Sequence, residues 1–287
     1  ELSHSEEALA EARRIPFHIP PQEIERRRDF RHVLTFTIDP EDAKDFDDAL
    51  SIRYMDNGQV EVGVHIADVT HYLKPDSQLD KEAYQRSTSV YLVDRVCPML
   101  PEQLSNHVCS LVPHEDRLTF SAVFVFDEKD RITARWFGKT VIHSAKRFTY
   151  EEAQTVLEGK PSDELKGLEI YPHLEKALKT MQRLAQKMRK AREKAGAIGF
   201  ETEEVRFRLA PDGTPLEAYV KERKEAHLLI EDFMLLANKE VALFIDQKGK
   251  NQQEIPFIYR VHDLPDMGKV ADFARFAAIT KSTNPKI

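Results

Sequence analysis

Five aspartates, Asp39, Asp42, Asp45, Asp47 and Asp48, fall within ten residues, with Glu41 among them. Left unpaired, such charges repel one another and cost stability. A cluster of this kind persists when something positive occupies it. A divalent cation held by carboxylate oxygens is the usual occupant, and a phosphate ester commonly follows the cation. Asp45 and Asp47 are two residues apart, so extended backbone points them the same way. Asp48 points elsewhere, and Asp39 approaches from the end of a strand. Four carboxylates can then surround one or two cations. A calcium EF-hand does not fit, because no register supplies both the glycine at its sixth position and the bidentate glutamate at its twelfth. The bland alternative is a solvated acidic turn. Phe46 and the flanking Ala and Leu residues favour a loop that is partly buried.

The elements that must hold this loop are legible in the alternation around it. In residues 34–39, Leu34, Phe36 and Ile38 share one face and Thr35, Thr37 and Asp39 the other, so the segment reads as a strand ending at Asp39. Residues 40–47 loop away. A second strand at about 49–55 leads to Asn57-Gly58, and Val60, Val62, Val64 and Ile66 alternate after it. Asn-Gly between alternating runs is a strong hairpin signal. Further hairpins are expected at 118–127 with 131–142, and at 203–209 with 215–222 around Gly213. Helical spacing falls at about 78–86, 101–110, 150–158, 172–195, 224–246 and 266–280. Tight hairpins with interspersed helices predict an α+β fold, with a mixed, largely antiparallel sheet and packed helices.

The chain has 287 residues, 41% apolar and 32% charged, and a net charge of -7. That is enough to bury one large core or two smaller ones. The acidic balance argues against a general nucleic-acid coat but leaves room for a local basic channel. Cys97 and Cys109 cannot form a disulfide framework, so both read as small core residues in a reduced, cytoplasmic setting. No apolar run approaches a membrane span, and no signal-peptide pattern opens the chain. The first residue is Glu1, so the sequence reads as an excised piece. Residues 1–30 are polar and interrupted by Pro16, Pro20 and Pro21. They read as a linker with a short helix near Ser5–Arg13 and a solvated entry segment at Glu25–Arg31, for which an RNA-backbone contact is the rival reading. The 174–195 helix carries Lys179, Arg183, Lys187, Arg189, Lys190, Arg192 and Lys194 opposite its apolar stripe. A solvated face is the default there, and a wall of a nucleic-acid channel is the functional reading. His65 and Asp68 read as structural, with Asp68 closing its strand by capping backbone.

The stretch TIDPEDAKDFDDA at 37–49 resembles the signature of the RNase II/RNase R (RNB) family of exoribonucleases. The resemblance continues through VHIADVTHY at 64–72, STSVYL at 87–92, PMLPEQLS at 98–105, CSL at 109–111 and DRL at 116–118. It continues again through GAIGF at 196–200, LIEDFMLLAN at 229–238 and YRVH at 259–262. It runs from about residue 25 almost to the end, and its wording is closer to the RNase R branch.

The resemblance implies a magnesium-dependent 3′→5′ exoribonuclease, with Mn²⁺ as a substitute, that hydrolyses single-stranded RNA to nucleoside 5′-monophosphates. It places the acidic site on Asp39, Asp45, Asp47 and Asp48, and leaves Asp42 solvated. Tyr91 matches the aromatic that packs on the terminal base, and Phe200 matches the aromatic that wedges the far end of the stacked nucleotides. Tyr150 and Glu231 match residues that hold the ribose near the 3′ end, where a 2′-hydroxyl both donates and accepts. It also implies a catalytic domain over 31–287 that is incomplete at its C-terminal end, without the segment whose arginine serves the scissile phosphate. Flanking OB-folds are expected to be missing on both sides. The rival readings are an RNA-binding fragment with little activity and a different metal-dependent phosphoesterase.

Overall fold

The computed structural model describes residues 3–197, 205–220, 222–251, 255–261 and 263–283. Its centre is a seven-stranded sheet. The strands are Arg28–Asp29 (β1), Leu34–Asp39 (β2), Asp48–Tyr54 (β3), Val60–Ala67 (β4), Asp116–Phe126 (β7), Ile132–His143 (β8) and Lys146–Thr149 (β9). Their order is β1-β8-β7-β4-β3-β2-β9. The five inner strands pair antiparallel, as the hairpin signals predict. A short parallel strand closes each edge: β1 on β8 and β9 on β2. Neither edge strand was legible, because two and four residues carry too little alternation to stand out.

Two small ribbons lie outside the sheet. Val90–Tyr91 (β5) pairs with Val96–Cys97 (β6), and Val205–Leu209 (β10) pairs with Pro215–Val220 (β11). The helices are Glu6–Ala12 (α1), Pro21–Glu25 (α2), Val69–Tyr72 (α3), Gln78–Arg86 (α4), Tyr150–Leu157 (α5), Asp163–Lys166 (α6), Tyr171–Lys194 (α7), Glu225–Asn251 (α8) and Met267–Thr283 (α9), with a π-helical turn at Gln103–Val108. Ser5, Ser77 and Thr149 cap α1, α4 and α5, and Thr149 with Glu152 makes a full capping box. That box satisfies two orphan N–H groups at once. Two compact units are distinguished, Glu1–Val241 and Ala242–Ile287. The described residues contain no helix long and apolar enough to cross a membrane.

Both faces of the sheet are covered. On one face Phe36, Ile38, Leu50, Val64, Phe124 and Phe148 pack with α5, α7 and the start of α8. On the other, Phe46, Ala49, Val123 and Ile142 pack with α1, α4 and the π-helical turn. This second face also carries a polar ladder across four strands. His65 Nε2 meets Ser51 Oγ at 2.8 Å and its Nδ1 meets Ser121 Oγ at 2.6 Å, while Ser121 and Thr119 both meet Thr140 Oγ1 at 2.5 Å. Burial pushes the imidazole down to about 3, so His65 is neutral and structural, as expected. Gly63 leaves room for it: a Cβ there would stand 2.5 Å from both His65 Nε2 and Ser51 Oγ.

Two expectations need correcting. The described part of residues 1–30 does not behave as a solvated linker. Ala8, Ala12, Arg27 and Phe30 are buried, and Arg28–Asp29 joins the sheet. Asp68 caps no backbone N–H with its side chain. Instead it receives Arg27 Nη2 at 2.7 Å, with Lys139 Nζ at 3.3 Å and Thr70 Oγ1 at 3.0 Å. Arg27 is drawn inside because that carboxylate and two backbone carbonyls, of Thr119 and Thr140, meet its donors. The basic side of α7 keeps its solvated reading, since Lys179, Arg183, Lys187, Lys190 and Lys194 are exposed, although carboxylates match several of its charges. Arg189 pairs with Glu225 and Asp232, Arg192 with Asp232, Arg183 with Asp130 and Lys179 with Glu175.

Candidate active site

β2 delivers Asp39 at its last residue, and β3 begins with Asp48. Residues 40–47 bridge the two, so the acidic loop is anchored on adjacent antiparallel strands. Its path is set by bonds from outside. Ser110, fully buried, donates Oγ–H to the Lys44 carbonyl at 2.8 Å and accepts the Phe46 N–H at 3.0 Å. It thereby brackets Asp45 from both sides. The Leu111 N–H reaches the Phe46 carbonyl at 2.9 Å and the Ala67 N–H reaches the Asp47 carbonyl at 3.0 Å. Phe46 itself is buried in the second-face core, which anchors the far end of the loop.

The carboxylates feel one another. Desolvation, with the charges of Asp47 and Asp45, pushes Asp39 up to about 6, against the opposing pull of the Thr37 hydroxyl and Arg147. Asp48 is pushed up to about 7 by burial and by Asp39 and Asp47. Asp47 is raised by desolvation and by Asp45, although the residue as a whole is exposed. Thr37 lies close enough to Asp39 to act electrostatically, but no ordinary hydrogen bond joins them. Thr37 Oγ1 and Asp39 Oδ2 are both buried without a hydrogen-bond partner. A buried carboxylate oxygen lacking a donor, beside repelling carboxylates, fits a hard cation. Among the described residues no three His, Cys, Asp or Glu side chains are gathered closely enough to hold a metal ion as they stand. Asp42 is exposed, as expected.

Two of the expected RNA-contacting residues meet this loop. The exposed Tyr91, on the β5–β6 ribbon, donates its hydroxyl to Asp45 Oδ2 at 3.3 Å. Tyr150, the first residue of α5, is pushed up to about 12 by burial and then by the charges of Asp48 and Asp39. Its ring stacks on His227, with centroids 3.9 Å apart and planes 8° off parallel. Glu231 lies one helical turn beyond His227 on α8 and pairs with Arg223. Among the described contacts it shares no bond with the aspartates. Phe200 lies outside the described residues.

A cavity of about 580 Å³ opens beside the loop, lined by Glu41, Asp42, Tyr150, Arg206, Lys224 and His227 among others. That volume suits a ligand of nucleotide size. Sequence reasoning missed Ser110, Arg147 and His227. Ser110 and Arg147 act on a loop more than sixty residues earlier in the chain, and no local period marks them. Only the CSL motif pointed near Ser110.

A family model described as the RNB domain matches residues 27–287. DIS3-like exonuclease 2 of Schizosaccharomyces pombe is 45% identical over 264 residues, which cover 90% of this chain and 28% of that protein. Ribonuclease R 1 of Lactococcus lactis is 41% identical over 95% of this chain and 32% of its own length. A protein named Inactive exonuclease DIS3L2, of Arabidopsis thaliana, is 35% identical over 94% of this chain and 26% of its own length. Among solved structures, Mycoplasma genitalium RNase R in complex with ribose-methylated single-stranded RNA superposes with a TM-score of 0.84 at 28% identity, over 94% of this chain and 40% of that one. The chain thus spans about a quarter to two-fifths of the length of these relatives. With the domain model matching almost the whole sequence and the sheet superposing on a member's, the chain belongs to the RNB family.

Proposed function

We propose that this chain is the catalytic region of a 3′→5′ exoribonuclease that shortens single-stranded RNA and releases nucleoside 5′-monophosphates. The observation that carries this reading is the anchored acidic loop, with a buried Asp39 oxygen lacking a donor and neighbouring carboxyls raised by burial and repulsion. Asp39, Asp45, Asp47 and Asp48 would hold Mg²⁺, or Mn²⁺ in its place. The bound cation supplies Lewis-acid chemistry at a phosphodiester. The chain's own groups do the rest. Asp39 and Asp48 give up their protons to become ligands. Tyr91, exposed beside Asp45, offers a ring on which any terminal base stacks without sequence preference. Tyr150 and Glu231 address the ribose 2′-hydroxyl as donor and acceptor. Arg206 and Lys224, lining the cavity, supply positive charge along the phosphate path. Cys97 and Cys109, both free thiols, fit a reducing cytoplasmic setting.

A non-catalytic RNA-binding role is the second reading. It is favoured by the relative named as inactive. One experiment separates the two. Single-stranded RNA labelled at its 5′ end is incubated with the protein and Mg²⁺, with and without EDTA. A ladder shortening one nucleotide at a time from the 3′ end, abolished by EDTA, is expected. Binding without a ladder would support the second reading, and internal cuts would sink the exonuclease assignment.

A further inference from the structure

Arg147 reaches the acidic loop from the neighbouring strand, β9. It stands on β9 directly opposite Thr37 of β2, two residues before the Asp39–Thr149 pair. Its Nη2 donates to the carbonyls of Pro40 and, at 2.9 Å, Glu41. Its guanidinium carbon lies 5.4 Å from the centroid of the Phe46 ring. One planar group therefore grips the start of the loop by its backbone and the end of it by an aromatic face. Asp42 and Asp45 lie in the span between. Its Nε is buried without a hydrogen-bond partner, so the side chain is held in place by the contacts of its other donors and its face.

We infer that Arg147 is a positioning residue that fixes the backbone of the 40–46 loop before any divalent cation arrives. The inference deepens the metal-loop reading above and rests on it only where cation affinity is concerned. Two effects oppose each other at this residue. Its charge pulls Asp39 down and should discourage a second cation. Its tether restricts a loop of like charges that would otherwise spread, and so reduces the ordering required on binding. Geometry decides between them. Among the described residues Arg147 forms no ion pair, and its bonds go to backbone carbonyls, so the carboxylates stay available as ligands. Lysine keeps the charge but cannot lie flat on a ring while bridging two carbonyls.

The test uses the whole chain with R147K and R147Q. Hydrogen exchange of the 41–47 amides is measured in the metal-free protein, and Mn²⁺ alone is titrated by calorimetry. Loop exchange should quicken in both variants. The Mn²⁺ dissociation constant should rise about tenfold in R147K, the low end for residues that orient metal ligands. Unchanged loop exchange in both variants would overturn the inference. So would R147K matching the wild type while R147Q binds Mn²⁺ more tightly, because charge alone would then explain the residue. If the wild type binds no Mn²⁺, the proposed function fails, and the exchange arm still judges Arg147. If R147Q does not fold, R147K carries the test.

Discussion

At the scale of residues, Asp48 is the most informative titrating group. Its folded pKa, near 7, lies well above the usual aspartate range, because burial and the charges of Asp39 and Asp47 disfavour the carboxylate. A carboxyl raised on folding contributes stability that is fully present below the unfolded pKa and is lost as pH rises through the folded value. The metal-free protein therefore loses this contribution between about pH 4 and pH 7. His65 and His71, lowered by burial, act in the opposite direction over part of that range, so the comparison must be made with a variant. Asp48→Asn should raise the melting temperature of the metal-free protein at pH 7.5, by about 2–4 °C for each kcal/mol recovered. That gain should fade towards pH 5. A pH-independent difference in melting scans would contradict the raised pKa. Metal affinity should weaken over the same interval, since protons compete for Asp39 and Asp48. Glu231→Ala tests the sugar reading at this scale. Loss of a bond to the 2′-hydroxyl should reduce the ratio of RNA to DNA degradation rates by roughly tenfold. An unchanged ratio would leave Glu231 as the partner of Arg223 only.

At the scale of elements, the site depends on groups that arrive from distant strands and turns. Ser110 both donates to Lys44 and accepts from Phe46, so Ser110→Ala strands a buried Phe46 N–H. The expected cost is about 1–3 kcal/mol, read as a lower midpoint in urea. Exchange of the Phe46 amide should quicken as well, and a neutral result would show that the loop does not depend on this bracket. Asp232, fully buried on α8, takes Arg189 and Arg192 from α7. Asp232→Ala should cost about 1–3 kcal/mol, because Arg192 loses this carboxylate while the partly exposed Arg189 keeps Glu225. Denaturant unfolding measures this, and a loss below 1 kcal/mol would mean that the helices do not rely on the pair. The hairpins and long helices were legible because alternation and helical spacing persist over many residues there. The acidic loop was legible because its charges are adjacent in sequence. Arg147 and Ser110 were not, since their meaning depends on β9 pairing with β2 and on the turn before β7 reaching Phe46. The burial of Arg27 was hidden for a similar reason: nothing in a run of three arginines shows which one meets Asp68.

At the scale of the whole molecule, metal binding should appear as stability. Cations that bind the folded loop and not the unfolded chain shift the equilibrium by mass action, by about 2.7 kcal/mol at a hundredfold excess over the dissociation constant. Mg²⁺ or Mn²⁺ should then raise the melting temperature by about 5–10 °C. Asp47→Asn should reduce that gain. A scan insensitive to millimolar Mg²⁺ would argue against a metal site.

The parallel pairing of β9 with β2 carries one more consequence, and it concerns the order in which the fold can be completed. β2 is made early, yet its outer partner is Lys146–Thr149, over a hundred residues later in the chain. Until that segment leaves the ribosome, the strand bearing Asp39 has an open edge, with unpaired backbone groups ready to template another chain. The loop of like charges also lacks the guanidinium that grips it. A nascent chain halted before residue 146 can form the β3–β4 hairpin, whose partners are close in sequence, but it cannot close the edge beside Asp39. The capture of β9 closes this edge of the sheet and brings Arg147 to the loop in one event. Stalled chains with β9 still inside the exit tunnel and with β9 clear of it should differ sharply in resistance to proteolysis within residues 34–48.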